Sequence, residues 1–327
     1  MARASCTEPA PAYRAPAWLP GGHAQTLWPV LIKSAPPPLR RERWDTPDGD
    51  FLDVDVLPGP ADAPLVVLFH GLEGSARSHY AATLMHALAA RRWQGAVVHF
   101  RGCSGELNRL PRAYHSGDAD EIHWLLQRFA ERAPLVARYA VGVSLGGNAL
   151  LKWLGTRENA ACPLLCAAAA VSAPVDLTAA GHALGRGFNR VYTRNFLATL
   201  KPRALERLRR HPGLFDAGRL QAASNLREFD DLVTAPLHGF RDVADYWQRA
   251  SAKPHLSGIK LPTLLLNALN DPFLPARFLP GAAEVSPQVT RCFPAEGGHV
   301  GFVSGRFPGK LDWLPQQLLH FFDQHAP

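Results

Sequence analysis

Tyr139-Ala-Val-Gly-Val-Ser-Leu-Gly-Gly-Asn148 is the stretch on which the reading of this chain turns. A short apolar strand runs into Gly142-Val-Ser144-Leu-Gly146, and apolar positions at helical spacing follow at once: Ala149, Leu150, Leu151, Trp153 and Leu154. A G-x-S-x-G run between a strand and a helix is the pattern of a nucleophile elbow. The glycines have a steric reason. A serine held in a strained turn needs neighbours without Cβ atoms, here Gly142 and Gly146, and Gly147 adds clearance. The helix N-terminus then aims unpaired N–H groups and partial positive charge at the reacting atoms. Ser144 is the expected nucleophile.

Outward from the elbow, strands alternate with helices. Leu65–Phe69 is an apolar run of the kind found in central parallel strands, and it ends at the loop His70-Gly-Leu-Glu-Gly74. A helix is expected over about Ser78 to Arg91, then a strand at Ala96–Phe100 and an acidic helix start at Ser116–Glu121. Further strands are expected at Cys166–Ser172, Thr263–Asn267 and Gln288–Phe293, and a final helix burying Leu314, Leu318 and Phe321 with Asp312 as its cap. Upstream, Phe51, Val54 and Val56 alternate after the turn Pro47-Asp-Gly49 and read as a hairpin strand. The class is α/β, with a mostly parallel sheet and helices on both faces. About ninety residues separate the strands near Val171 and Leu264, more than a plain crossover needs. The surplus reads as a helical cap insertion at about 176–250, over the carboxyl ends of the strands where such sheets bind ligands. Residues 1–40, rich in Pro and Ala, read as an irregular N-terminal arm whose Trp18 and Trp28 are too costly to expose and so should pack on the 41–327 domain.

A serine needs a base to take its proton and a carboxylate to hold that base. In the elbow architecture these follow in the order Ser, acid, His. Asp271, in Asn270-Asp-Pro272, lies just past one late strand, and His299, in Gly297-Gly-His-Val-Gly301, just past the next. All three groups therefore meet at one sheet edge. His70, His99 and His115 also fall near strand ends but read as structural, and Asp176 could substitute as the acid. Asp242 and Asp245 read as a polar helix face, and the H-x4-D pattern from His115 to Asp120 as a capped helix start. An oxyanion would be held by the backbone N–H of Leu145 and that of Leu72, with Gly71 next in line.

The bulk numbers narrow the class further. At 327 residues and 47% hydrophobic content the chain can bury a substantial core. No run approaches the eighteen or so apolar residues of a membrane span, and Met1–Arg14 lacks the apolar core of a secretory signal. Five cysteines (Cys6, Cys103, Cys162, Cys166, Cys292) without a C-x-x-C argue against a disulfide framework or zinc site and for a reducing cytoplasm. The net charge of +7 is concentrated: Leu177–Arg227 holds ten Lys/Arg against Glu206 and Asp216, so the remainder carries −1. A local excess with no nucleic-acid motif points away from nucleic acid. It reads as a solvated helix face first, and second as a peripheral contact with anionic membrane surfaces through residues such as Arg207 and Arg210.

Taken together the motifs resemble the YheT-like branch of the α/β-hydrolase superfamily, which includes the related mammalian α/β-hydrolase-domain proteins. The resemblance runs nearly end to end, through Pro20-Gly-Gly-His-Ala-Gln-Thr-Leu-Trp-Pro29, His70–Gly74, Phe100–Asn108, Tyr114–Gly117, Gly142–Asn148, Phe229-Asp-Asp231, Asn270–Pro272 and Gly298–Gly301. The arm departs from the family at Gly21-Gly22, where a bulkier polar pair is common. The resemblance implies an α/β-hydrolase fold with Ser144, Asp271 and His299 as the charge-relay residues. It also implies hydrolysis of carboxylic esters (acylglycerols, phospholipids or small esters) through an acyl-serine, or acyl transfer to an alcohol as in similar fungal proteins. A ligand-binding protein with little turnover is the reading from another class. No cofactor, metal or obligate protein partner is expected.

Overall fold

The computed structural model describes residues 12–327, so Cys6 and the start of the chain lie outside the described residues. Eight strands form one sheet: β1 (Arg40–Asp45), β2 (Phe51–Leu57), β3 (Leu65–Phe69), β4 (Gln94–His99), β5 (Arg138–Val143), β6 (Ala167–Val171), β7 (Thr263–Leu266) and β8 (Val289–Cys292). Their order across the sheet is β1-β2-β4-β3-β5-β6-β7-β8. β2 runs antiparallel to β1 and β4, and the other neighbours pair in parallel. β3, β5 and β6 are buried along their whole lengths, which is why, Arg138 at the start of β5 apart, they read as continuous apolar runs.

The period of two decides which layer each side chain enters. Val66 and Leu68 pack with α2 (His79–Ala90) and the last helix, while Val67 and Phe69 pack with the two helices opposite. Those are α3 (Ala119–Arg132) and α4 (Leu145–Arg157). Asp118 caps α3 by accepting the Glu121 N–H. The final helix, Trp313–Asp323, buries Leu314, Leu318 and Phe321. Asp312 stands at its N-cap, yet its carboxylate takes the Ser304 hydroxyl (2.8 Å) in place of a helix N–H.

Between β6 and β7 the chain forms α5 (Leu177–Leu184), α6 (Arg190–Arg210), α7 (Ala217–Ala222), α8 (Leu226–Phe229), α9 (Ala235–Leu237) and α10 (Val243–Ala250). A π-helical turn at Asp230–Thr234 joins α8 to α9. The elbow is tied to this insertion by Asn148, whose amide donates to Ser116 O and Ala250 O and accepts from Ala252 N–H.

Two elements differ from the sequence reading. The arm is not irregular throughout, because Gly22–Leu31 forms a helix, α1. Its N-cap is Gly21 at φ 80, with no capping side chain to announce it, and Pro29 lies inside it. β1 was also unmarked by apolar alternation, since Arg-Arg-Glu-Arg-Trp-Asp is a charged edge strand. Its register sets Arg41 opposite Asp55 and Arg43 opposite Asp53, each an ion pair with a shortest contact of 2.7–2.8 Å.

Candidate active site

Ser144 sits at the turn from β5 to α4 with φ 52 and ψ −118, a backbone state that non-glycine residues rarely hold. Its N–H donates to Val171 O (2.8 Å), which pins the turn to the next strand. The flanking glycines are required sterically: a Cβ at Gly142 would lie 2.5 Å from Gly146 O, and one at Gly146 only 2.4 Å from Phe69 O.

The three predicted side chains form one hydrogen-bonded chain. Ser144 Oγ lies 2.9 Å from His299 Nε2, and His299 Nδ1 lies 2.8 Å from Asp271 Oδ2. An ionised Asp271 can only accept, so Nδ1 carries the proton and Nε2 offers its lone pair to the Ser144 hydroxyl. Asp271 Oδ1 accepts the Phe273 N–H (2.8 Å), which fixes the carboxylate, and the Phe273 ring stacks on the imidazole with centroids 4.0 Å apart. Such a chain can take the serine proton and return it to a leaving group.

The loop that carries His299 is strained and clamped. Gly297, Gly298, Val300 and Phe302 all have positive φ. Four consecutive N–H groups are each taken by a side chain from elsewhere: Gly297 by Gln25 Oε1 (2.9 Å), Gly298 by Asn270 Oδ1 (2.9 Å), His299 by Thr26 Oγ1 (2.8 Å) and Val300 by Ser172 Oγ (3.0 Å). Asn270 in turn donates to Gln25 Oε1 (2.9 Å). The arm motif Gly22-His-Ala-Gln-Thr26 thus holds the histidine loop from beneath, a role its sequence did not disclose.

Of the two expected oxyanion donors, Leu145 is the first residue of α4, where an N–H has no intrahelical partner. In the other loop the Gly71 N–H is taken by Tyr80 Oη and the Glu73 N–H by Tyr114 Oη, both at 2.9 Å. That occupies Gly71, the second choice, and leaves the Leu72 N–H between them without a partner among the described residues. Leu72, Ser144 and Leu145 line one cavity.

The rival residues have other employment. His70, held to about pKa 3 by burial, stands between Gly71 O (2.7 Å) and the Phe100 N–H (3.2 Å). His99 lies 2.8 Å from Asp55. His115 is likewise pushed down to about 3 by burial and packs against His238 and Tyr246. Asp176 caps α5, Asp242 caps α10, and Asp245 pairs with Arg249. Cys103 is buried and its thiol is pushed up to about 12, so it stays protonated.

The cavity runs from Ser144 beneath the insertion, along Pro174, Leu177, Phe196, Leu200, Phe229 and Trp247. α6 supplies one inward stripe at spacings of three and four residues. Tyr192 meets Phe273 edge-on (4.8 Å), and Phe196, Leu200, Arg203 and Arg207 follow into the cavity. Arg203 pairs with Glu73 (2.9 Å), whose φ of 57 shapes the Leu72 loop, and Tyr114 Oη donates to the same carboxylate (3.0 Å). Arg207 is 8% exposed, so it does not belong to the surface on which the sequence reading placed it.

Residues 64–305 match the family model described as the alpha/beta hydrolase fold. The chain belongs to the α/β-hydrolase family. Within it, this α/β-hydrolase is 41% identical over 305 residues to the Escherichia coli (strain K12) protein named "Putative esterase YheT", covering 90% of this chain and 88% of that one. It is 29% identical over 318 residues to the human protein named Phospholipase ABHD3, covering 93% and 76%. Among solved structures it resembles the Pyrococcus furiosus esterase Pf2001, with TM-score 0.55, 14% identity and coverage of 88% and 93%. It also resembles a membrane phospholipase A described as a bacterial virulence factor, with TM-score 0.56, 16% identity and coverage of 88% and 86%.

Proposed function

We propose that this α/β-hydrolase cleaves carboxylic esters through an acyl-Ser144 intermediate. The observation that carries the reading is the single chain Ser144–His299–Asp271, with contacts of 2.9 and 2.8 Å, at the head of an apolar cavity. In this mechanism Ser144 Oγ attacks the ester carbonyl while His299 Nε2 takes its proton. Asp271 holds the Nδ1 proton and stabilises the imidazolium. The tetrahedral oxyanion is met by the N–H groups of Leu145 and Leu72, a contribution worth roughly 3–4 kcal/mol per donor in comparable sites. His299 then protonates the departing alcohol, and water activated by the same imidazole releases the acid. The names of the relatives (esterase, phospholipase and, for a 27%-identical Saccharomyces cerevisiae protein, monoacylglycerol lipase) support an ester of short-chain or acylglycerol type.

The helices from α5 to α10 act in this reading as the cap that encloses the acyl chain, and Gln25 and Thr26 of the arm as a brace for the histidine loop. A screen of p-nitrophenyl and glycerol esters of graded length, with and without added alcohol, tests the activity. Free acid as the main product supports hydrolysis, a new ester in the presence of alcohol assigns the enzyme to acyl transfer, and no turnover leaves a binding protein.

The enzyme also has a surface suited to an anionic bilayer. Seven of the eight large apolar side chains exposed among the described residues are Leu27, Val30, Leu31, Phe188, Val191, Leu269 and Phe307. They lie on α1 or beside residues that touch it, as His23 meets Phe188 and Trp28 meets Phe307. Lys33, Arg186, Arg190, Arg194 and Arg306 are exposed around them with no ion pair among the described residues. An apolar patch ringed by free cations fits acyl chains below and anionic headgroups above. No helix among the described residues is long and apolar enough to cross a membrane.

A further inference from the structure

Arg207 stands out among the charged groups of the cavity. Its side chain is buried, with 8% of the residue exposed, and its guanidinium makes no hydrogen bond or ion pair with any described residue. The one carboxylate that acts on it, Glu73, makes no hydrogen bond or ion pair with it and is shared with other groups. Glu73 is engaged by Arg203, at 2.9 Å, and by Tyr114. Cys103 and Tyr114 are themselves held neutral by burial. Arg101, on the same wall, is satisfied by Asp48, Asp50 and Glu121. A cation without a partner in a low-dielectric wall is costly, and the cost falls when an anion enters.

The guanidinium lies against bare backbone: a Cβ placed on Gly102 would stand 3.6 Å from Arg207 Nη2. Its planar fork of N–H donors matches the two oxygens of a phosphate or carboxylate. Arg207 lines the same cavity as Ser144, on the α6 stripe that also carries Phe196 and Leu200. A molecule spanning the cavity can therefore present its ester to Ser144, its chain to the apolar wall and an anionic group to Arg207.

We propose that Arg207 is the receptor for a compact anionic substituent, a phosphate or carboxylate, on the ester that Ser144 attacks. This deepens the ester-hydrolase reading and rests on it for the reaction, though the anion site can be measured without turnover. The kinetic test compares 1-octanoylglycerol 3-phosphate with 1-octanoylglycerol. The wild-type enzyme favours the phosphate ester, and Arg207→Gln lowers the ratio of the two kcat/KM values at least tenfold, with Arg207→Lys restoring part of it. An unchanged ratio in Arg207→Gln overturns the proposal.

The binding test uses glycerol 3-phosphate, titrated calorimetrically into Ser144→Ala and into the same protein also carrying Arg207→Gln. Saturable binding that weakens at least tenfold in the second protein supports the site, and equal binding or none overturns it. Arg207-dependent binding without cleavage of either ester would sink the hydrolase reading and keep the anion site. Cleavage of the neutral ester with no anion preference and no binding would do the reverse. Inorganic phosphate separates the two sources of the anion. If it binds as tightly as glycerol 3-phosphate and fails to compete with the phosphate ester, the site serves a free anion and the substrate assignment is overturned. Arg207→Met, which removes the unpaired charge and keeps the stem, serves for the same measurements should the glutamine variant not fold.

Discussion

The hydroxyl oxygen of Thr26 accepts the backbone N–H of His299 at 2.8 Å, joining residues 273 positions apart. The same oxygen donates its proton to Gly22 O (2.6 Å), so its orientation is fixed by its own helix. The imidazole that lies 2.9 Å from Ser144 Oγ is thus aimed partly by the N-terminal arm. A strained loop holds one conformation only when its surroundings over-determine it, and here four side-chain acceptors do so.

Thr26→Val removes the acceptor and keeps the shape. We expect kcat on a p-nitrophenyl ester to fall about tenfold, the equivalent of ~1.4 kcal/mol, with KM little changed. Thr26→Ser should restore most of the rate. A loss confined to KM would place Thr26 in substrate binding instead.

The adjacent glycines should behave differently. A Cβ on Gly22 would lie 2.0 Å from Asn270 O, whereas Gly21 has open space around it and needs only its φ of 80. Gly22→Ala is expected to lower stability by roughly 1–3 kcal/mol through overpacking, and Gly21→Ala by about 1–3 kcal/mol because its backbone, with φ 80 and ψ 151, is open to glycine almost alone. Thermal melts read the stabilities. Gly22→Ala should in addition lower kcat, because Asn270 holds the Gly298 N–H.

Asp230 gives a pH signature. Its carboxyl accepts from Thr234 Oγ1 (2.7 Å) and Trp247 Nε1 (2.9 Å), and burial pushes its pKa up from 3.8 to about 6. A carboxyl with a raised folded pKa is protonated in the native state while the unfolded chain has already ionised. Its contribution to stability therefore falls as pH rises from about 4 to about 6 and is level outside that window. Asp230→Asn should remove this component, so the melting temperature of the variant relative to wild type rises across the window. A difference independent of pH would refute the assignment.

The apolar face of α1 can be tested by sedimentation with vesicles of phosphatidylglycerol and phosphatidylcholine. Leu27→Glu with Leu31→Glu should reduce binding about tenfold or more, and Arg190→Glu with Arg194→Glu should abolish its preference for anionic lipid. Wild-type protein that stays in the supernatant would contradict the bilayer contact.

Much of the candidate site was legible because the chemistry proposed for it constrains local sequence. The elbow needs glycines at Gly142 and Gly146, Asp271 follows the apolar strand Thr263–Leu266, and His299 sits after the glycine pair Gly297-Gly298. What stayed hidden depends on contacts distant along the chain. β1 was obscured because its pairing with β2 relies on Arg41–Asp55 and Arg43–Asp53, which look like surface charge until the partner strand is known. α1 lacked a start signal, since Gly21 offers no capping side chain. The basic segment was legible as charge and not as direction: Tyr192, Phe196, Leu200, Arg203 and Arg207 share a helical face, but which face turns inward is set by Phe273 and Glu73.

Whether Ser144 is acylated with His299 as its base is decided by peptide mapping after treatment with a fluorophosphonate. One covalent adduct is expected on the peptide containing Ser144, absent in Ser144→Ala and formed far more slowly in His299→Ala, with ester hydrolysis in Ser144→Ala reduced about a thousandfold or more. An unmodified Ser144, together with near wild-type hydrolysis by Ser144→Ala, would contradict acylation at Ser144.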